Sequence, residues 1–162
     1  MIESMNLRRA LLLGALTVGV LDILDALVFF GIRGVPPLRI LQAIASGLVG
    51  KDAAVAGGLA TAALGLVLHF FIAFLIVLVF YLVSRQVPIL TRYPLVLGAL
   101  YGIAVYFTMT QVVVPLSAIH AARGLPSLPV LVNGLLIHAF GVGIPAALFA
   151  RAATPTQAPQ SA

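Results

Sequence analysis

The chain has 162 residues, of which 62% are hydrophobic and only 8% are charged. A soluble domain carries about 25% charged residues, so this composition excludes an ordinary soluble protein and predicts that a lipid bilayer surrounds most of the chain. The net charge of +5 comes from basic residues that are scattered at the edges of apolar runs rather than clustered in a stripe, which argues against a nucleic-acid partner.

Four apolar runs are long enough to cross a hydrocarbon core, which needs about 20 helical residues. We predict transmembrane helices at residues 10–32, 59–83, 94–115 and 129–150. They form one all-α domain, a four-transmembrane-helix bundle of a polytopic membrane protein over residues 1–152. Residues 153–162 show no apolar periodicity, and we expect a disordered tail there.

The loop between the first two spans, about residues 33–58, is too long for a plain turn. Within it, four apolar residues recur at helical spacing: Leu38, Leu41, Ala45 and Leu48. The preceding Pro36-Pro37 pair and the following Gly50 favour a short amphipathic helix in the membrane interface. A structured loop packed on the bundle is the alternative interpretation.

Four spans place both termini on one side of the membrane. Basic residues slightly favour that side, with five against four: Arg8, Arg9, Arg85, Arg92 and Arg151 compared with Arg33, Arg39, Lys51 and Arg123. Because positively charged loops remain in the cytoplasm, we expect cytoplasmic N- and C-termini.

A repeated pattern, G-L-x-x-H-x-F, links the second span at residues 65–71 to the fourth at residues 134–140. It gives His69 and His138 equivalent positions. The first and third spans also share the tetrapeptide LGAL near their starts. A duplicated helical hairpin explains these internal repeats, and so does chance likeness between apolar helices.

The ionisable side chains inside the spans are predicted to share one depth. His69 and His138 each fall about ten residues into parallel spans, ~15 Å from the same face, and the antiparallel first span brings Asp22 and Asp25 to a similar level. Such groups cost about 2.5–3.5 kcal/mol each on insertion scales and face one another inside a bundle. The predicted polar cluster comprises Asp22, Asp25, His69, His138, Thr108, Tyr106 and Thr110.

Four interpretations of this cluster stay open. His69 and His138, each with a glycine four residues before it (Gly65 and Gly134), match the needs of a bis-histidine haem b. A proton or ion relay would pair an aspartate with histidine, the side chain that changes charge near neutral pH. A divalent metal normally needs more fixed ligands than this pattern guarantees, so no metal ligand is assigned. In the fourth interpretation, the aspartates only hold the bundle together.

The stretch from LRILQAIASG to LHFFIAF, the segment VVVPLSAI and the helix NGLLIHAFGVG resemble a group of small, uncharacterised bacterial inner-membrane proteins, over roughly residues 35–145. YagU-type membrane proteins are more distantly similar, with a histidine in one helix, a Pro-Leu pair closing the next and a histidine in the last. The resemblance implies four helices, a bacterial plasma membrane and no established enzymatic activity. It supplies no catalytic residues.

Motifs of enzymes, such as a nucleophile elbow or a phosphate-binding glycine loop, do not occur in the sequence, so we expect no enzymatic activity. The small size and minimal loops favour a structural or accessory subunit of a larger membrane complex. Its partners would be other membrane subunits or a second copy of the chain. The alternative is a haem or ion protein that uses the Asp/His level directly.

Overall fold

The computed structural model describes residues 5–154, which fold into helices joined by short loops. Four helices are long and apolar enough to cross a membrane: α1 (Leu7–Gly31), α4 (Gly58–Gln86), α6 (Pro94–Leu116) and α7 (Leu128–Ala153). Their bounds lie within three residues of the predicted spans, so the all-α class and the four long helices are confirmed. The predicted tail falls mostly on residues 155–162, outside the described residues.

Three shorter helices lie in the connections: α2 (Pro37–Val49), α3 (Lys51–Ala56) and α5 (Ile89–Arg92). α2 begins at Pro37, where the missing N–H costs nothing because the first helical N–H groups have no partner within the helix. It ends at Gly50, whose φ of 82° is a left-handed conformation that suits glycine. The first loop therefore contains the predicted short helix.

A tightly packed core fills the end of the bundle that carries the termini. Three alanines of α7 that are at most 1% exposed form its centre: Ala146, Ala147 and Ala150. They allow α1 and α4 to approach α7 closely. The Tyr101 hydroxyl donates a 2.7 Å hydrogen bond to the Ile76 carbonyl and joins α6 to α4 near this core.

At the other end of the bundle, α6 packs mainly along α7 and diverges from α4. Glycines permit the close contact between α6 and α7. A Cβ atom added to Gly102 would collide with the His138 carbonyl, and one added to Gly143 would collide with the Gly98 carbonyl. The divergence leaves a space inside the bundle between α4 and α6.

α2 closes this space from outside, since it packs along α4 and reaches the loop after α6. Gly65 of α4 lies directly against the carbonyl of Leu41 in α2. At the far end of α2, the Ala118 N–H donates a 3.0 Å hydrogen bond to the Gly47 carbonyl. α2 is therefore a wall of the bundle, in direct contact with a long helix.

Both α6 and α7 contain a π-helical segment: Met109–Val113 in α6 and Ile137–Gly143 in α7. Each lies just before a proline, Pro115 or Pro145, which has no N–H for the carbonyl four residues back. In α6 that carbonyl belongs to Gln111, and Nε of Arg123 donates to it at 3.1 Å. Such segments widen a helix locally and are frequent at functional sites.

Candidate functional site

Asp22, His69 and His138 lie at one level inside the bundle. They are about nine, eleven and ten residues from the ends of α1, α4 and α7 on the side of α2. At 1.5 Å per residue these positions are roughly 14–17 Å along the helices. Three different long helices therefore bring their ionisable side chains together near mid-height.

The Asp22 carboxylate lies between the two imidazoles. Its Oδ2 is 4.0 Å from Nδ1 of His69, and its Oδ1 is 4.0 Å from Nδ1 of His138. The side chains of the three residues are 28%, 11% and 18% exposed, in the order Asp22, His69, His138. We call these three residues the Asp/His centre.

A main-chain carbonyl of α1 determines which ring nitrogen of His69 carries a hydrogen. Nε2 of His69 is 2.8 Å from the Gly19 carbonyl oxygen, which can only accept a hydrogen bond, so Nε2 carries a hydrogen. In a neutral ring, Nδ1 would then be an acceptor, and it faces Asp22, which accepts as well when ionised. One additional proton, on Nδ1 or on the carboxyl group, removes this conflict between two acceptors.

His138 is oriented by its own helix and by α6. Its Nδ1 donates to the Gly134 carbonyl at 3.0 Å, and the Tyr106 ring meets its imidazole edge-on, with centroids 5.3 Å apart. Tyr106 is buried and also covers Gly134. The His138 ring is thereby held within the π-helical segment of α7, on the opposite side of Asp22 from His69.

Three other residues of the predicted cluster, Asp25, Thr108 and Thr110, form no hydrogen bond or ion pair with the Asp/His centre. Oδ2 of Asp25 accepts a 2.7 Å hydrogen bond from Asn133 near the start of α7. Thr108 is exposed on the outer face of α6 and donates to the Ala104 carbonyl, so its inclusion in the cluster needs correction. Thr110 faces the interior, but its hydroxyl donates to the Tyr106 carbonyl at 2.9 Å.

A cavity of about 550 Å³ includes the Asp/His centre in its wall and extends from about one helical turn beyond it to α2. Side chains of α1, α2, α4, α6 and α7 line it, and most of them are apolar. Its polar lining consists of Asp22, His69, His138, Tyr106, Thr110, Ser117 and Arg39. The volume is typical of a small-molecule pocket, with one acidic side chain, Asp22, in its wall.

The residues do not fit a bis-histidine haem in this arrangement. The space beside Gly65 is taken by the Leu41 carbonyl, and the space beside Gly134 is taken by the Tyr106 ring. Nε2 of His69 and Nδ1 of His138 are engaged by main-chain carbonyls, and the Asp22 carboxylate lies 4.0 Å from Nδ1 of both histidines. In residues 5–154, moreover, no group of three or more His, Cys, Asp or Glu side chains is arranged to hold a metal ion.

Sequence reasoning missed two polar residues. Asn133 lies five residues before His138, and Asp25 lies three residues after Asp22. Because α7 runs antiparallel to α1, these two offsets point in the same direction along the bundle and could have predicted the pair. Arg39 lines the cavity from α2, and its Nη1 lies 3.3 Å from Oε1 of Gln42. No local signal identifies Arg39, because its position depends on how α2 packs against α4.

Comparison with known proteins adds no relative. The chain matches no protein-family model, no curated protein and no solved structure. The resemblance to small bacterial inner-membrane proteins and to YagU-type proteins therefore stays a prediction. The geometry of the Asp/His centre and its cavity is the basis for assigning a function.

Proposed function

We propose that the chain is a non-enzymatic, multi-pass membrane protein that binds a proton between Asp22 and His69 in the wall of a mostly apolar cavity. In this proposal the protein lies in a bacterial inner membrane with cytoplasmic termini. The part of the cavity that α2 and the loop after α6 line then lies towards the opposite, periplasmic face. The proton controls the charge of the cavity wall at Asp22 and His69.

One observation carries the proposal: the bond from Nε2 of His69 to the Gly19 carbonyl turns the other ring nitrogen towards a carboxylate. Two acceptors that face each other across 4.0 Å gain an attractive interaction when a proton is bound to one of them. Because Asp22 lines the cavity, this proton can exchange with water through the cavity. A purely structural ion pair would not need such access.

The test is spectroscopy of the purified protein in detergent at neutral pH. We expect either an imidazolium signal for His69 in ¹⁵N spectra of histidine-labelled protein or an infrared band of a protonated carboxyl group. Either signal should vanish in Asp22→Asn and persist in Asp25→Asn, which changes the aspartate that pairs with Asn133. His69→Gln assigns the histidine signal. A neutral His69 beside an ionised Asp22 in the unmodified protein would overturn the proposal.

A structural or accessory subunit is the second candidate. It is supported by the apolar residues that the long helices turn outwards, such as Val28, Leu59 and Val67, which are 63%, 80% and 67% exposed. Such faces suit lipid and equally suit a neighbouring membrane subunit. A partner of fixed stoichiometry that co-purifies with both the unmodified protein and Asp22→Asn would support this candidate. A chain that purifies alone or only with itself would contradict it.

A further inference from the structure

We infer that the cavity binds a lipophilic organic ammonium ion, whose cationic head pairs with Asp22 and whose apolar body fills the remaining space. We further infer that this cation and the proton of the Asp22–His69 pair exclude each other. The inference rests on the proposed function and names the class of molecule that the proton would control.

The first argument is the state of the Asp22 carboxylate. Among residues 5–154, its ion-pair partners are the two imidazoles at 4.0 Å, and no N–H or O–H group donates to it within hydrogen-bond distance. A carboxylate in a mostly apolar wall is stabilised by a hydrogen-bond donor or a cation. Asp22 opens into the cavity, so the missing donor has to come from whatever the cavity holds.

The second argument is the shape and chemistry of the rest of the cavity. Its volume of about 550 Å³ suits a small molecule rather than a single ion with a few waters. Side chains that are apolar over their whole length form most of the walls: Ile23, Ile72, Ile76, Met109, Val113 and Val142. A ligand that suits both the Asp22 carboxylate and the apolar walls has a cationic group at one end and a hydrocarbon or aromatic body.

A lipid acyl chain fits these walls less well. An acyl chain beside Asp22 would displace water from the carboxylate without supplying a donor. An anionic head group could pair with Arg39 on α2, but it would still leave the Asp22 carboxylate without a donor. The carboxylate in the cavity wall therefore favours a cation over a hydrocarbon tail.

The other charged and titratable groups near Asp22 have separate roles. Asp25 of α1 is held by Asn133, and Nδ1 of His138 donates to the main chain of α7. Tyr106 covers Gly134, and Arg39 is exposed at α2. The Asp22–His69 pair is thus the place where an incoming ammonium ion meets an exchangeable proton.

The exchange balances in charge. Before binding, the pair consists of one carboxylate, one neutral imidazole and one proton bound to either of them, and its net charge is zero. When the ammonium ion binds, the proton leaves His69 or Asp22 for water at the cavity opening. The ionised carboxylate and the ammonium ion then form a neutral pair beside a neutral imidazole. One proton is released for each cation bound.

The experiment uses the full chain in detergent and two fluorescent probes of the same shape, 9-(aminomethyl)anthracene and its neutral counterpart 9-anthracenemethanol. We expect the amine to bind at least about tenfold more tightly than the alcohol. Its affinity should fall about tenfold for each pH unit below the point where the pair takes up its proton, since one proton is exchanged. A weakly buffered titration should detect one proton released per amine bound.

Asp22→Asn should remove the difference between the two probes, whereas Asp25→Asn should retain it. Asp22→Glu keeps a carboxylate and should keep the preference for the amine. It shows that the site tolerates a substitution at position 22, so that the loss in Asp22→Asn can be attributed to the missing carboxylate. Equal binding of both probes by the unmodified protein, or no binding of either, would overturn the ammonium assignment and leave the spectroscopic test of the proton intact. Amine binding that depends on Asp22 but releases no proton would overturn the mutual exclusion and, with it, the bound proton of the proposed function.

Discussion

Nε2 of His69 and the carbonyl oxygen of Gly19 are 2.8 Å apart, and this contact between α4 and α1 determines which imidazole nitrogen faces Asp22. Gly19 is also covered by the ring of Phe70, the residue that follows His69. The absence of a side chain at Gly19 therefore allows the two helices to approach closely enough for the hydrogen bond. Which ring nitrogen of His69 carries its hydrogen therefore depends on helix packing.

We expect Gly19→Ala to destabilise the protein and to disturb His69. The new Cβ atom would lie 2.5 Å from the Phe70 ring, which has to move. Overpacking of this kind costs about 1–3 kcal/mol. Thermal unfolding in detergent measures the loss, and the His69 ¹⁵N signal should shift. Gly31→Ala is the matched control, because nothing lies within 4 Å of the added Cβ. An equal effect of both substitutions would contradict the role of Gly19 in the close contact between α1 and α4.

Arg123 should stabilise α6 only because Pro115 leaves the Gln111 carbonyl without its helical partner. We expect Arg123→Ala to cost about 0.5–1 kcal/mol in the unmodified protein. In a Pro115→Ala background, the restored N–H can bond the same carbonyl, and Arg123→Ala should have almost no effect. A double-mutant cycle on unfolding free energies measures this coupling. Equal costs in the two backgrounds would show that the contact of Arg123 with Gln111 contributes nothing.

Gln42 should hold α2 against the start of α4. Its side chain is only 2% exposed, and its Nε2 donates to the Gly58 carbonyl at 3.0 Å. We expect Gln42→Leu to cost about 1 kcal/mol, which speeds hydrogen exchange of the α2 amides about fivefold. Mass spectrometry of exchanged peptides gives the rate. The same substitution at the exposed Gln86 is the control and should leave α2 unchanged.

Haem should not bind between His69 and His138. The Tyr106 ring fills the space beside Gly134, and Asp22 separates the two imidazoles. We expect no Soret band in the purified protein, either as isolated or after incubation with haemin. A Soret band that disappears in both His69→Ala and His138→Ala would mean that the bundle rearranges to admit the cofactor.

The long helices and the common depth of Asp22, His69 and His138 could be predicted because both depend on local properties. Span length follows from apolar run length, and depth follows from counting residues at a fixed rise. These features needed no knowledge of which helices are neighbours.

Thr108 lies near the depth of the predicted cluster but on a different face of α6. Tyr106 and Thr110 are four residues apart and share one face of α6, but Thr108 is two residues from each and points about 200° away. Its level in the bundle was estimated without its direction, and the structure exposes it. Helical periodicity alone could have removed it from the cluster.

The cavity could not be predicted, because it results from long-range packing. It exists where α6 diverges from α4 and α2 closes the gap, with Gly65 against Leu41. The amphipathic pattern of α2 suits the membrane interface and a bundle wall equally well, so both interpretations were open. Pro115 and Pro145 predict an irregularity in their helices, but they do not predict that π-helical segments precede them.

The alanine-rich face of α7 limits which residues can change size during evolution. At Ala146 and Ala147 the side chains are fully buried, so even one added methylene would force helices apart at that end. The walls of the cavity, at the other end, border open space and tolerate changes in size. Homologues could therefore differ in the molecules they accept while keeping the same bundle, with variation concentrated at one end and constraint at the other.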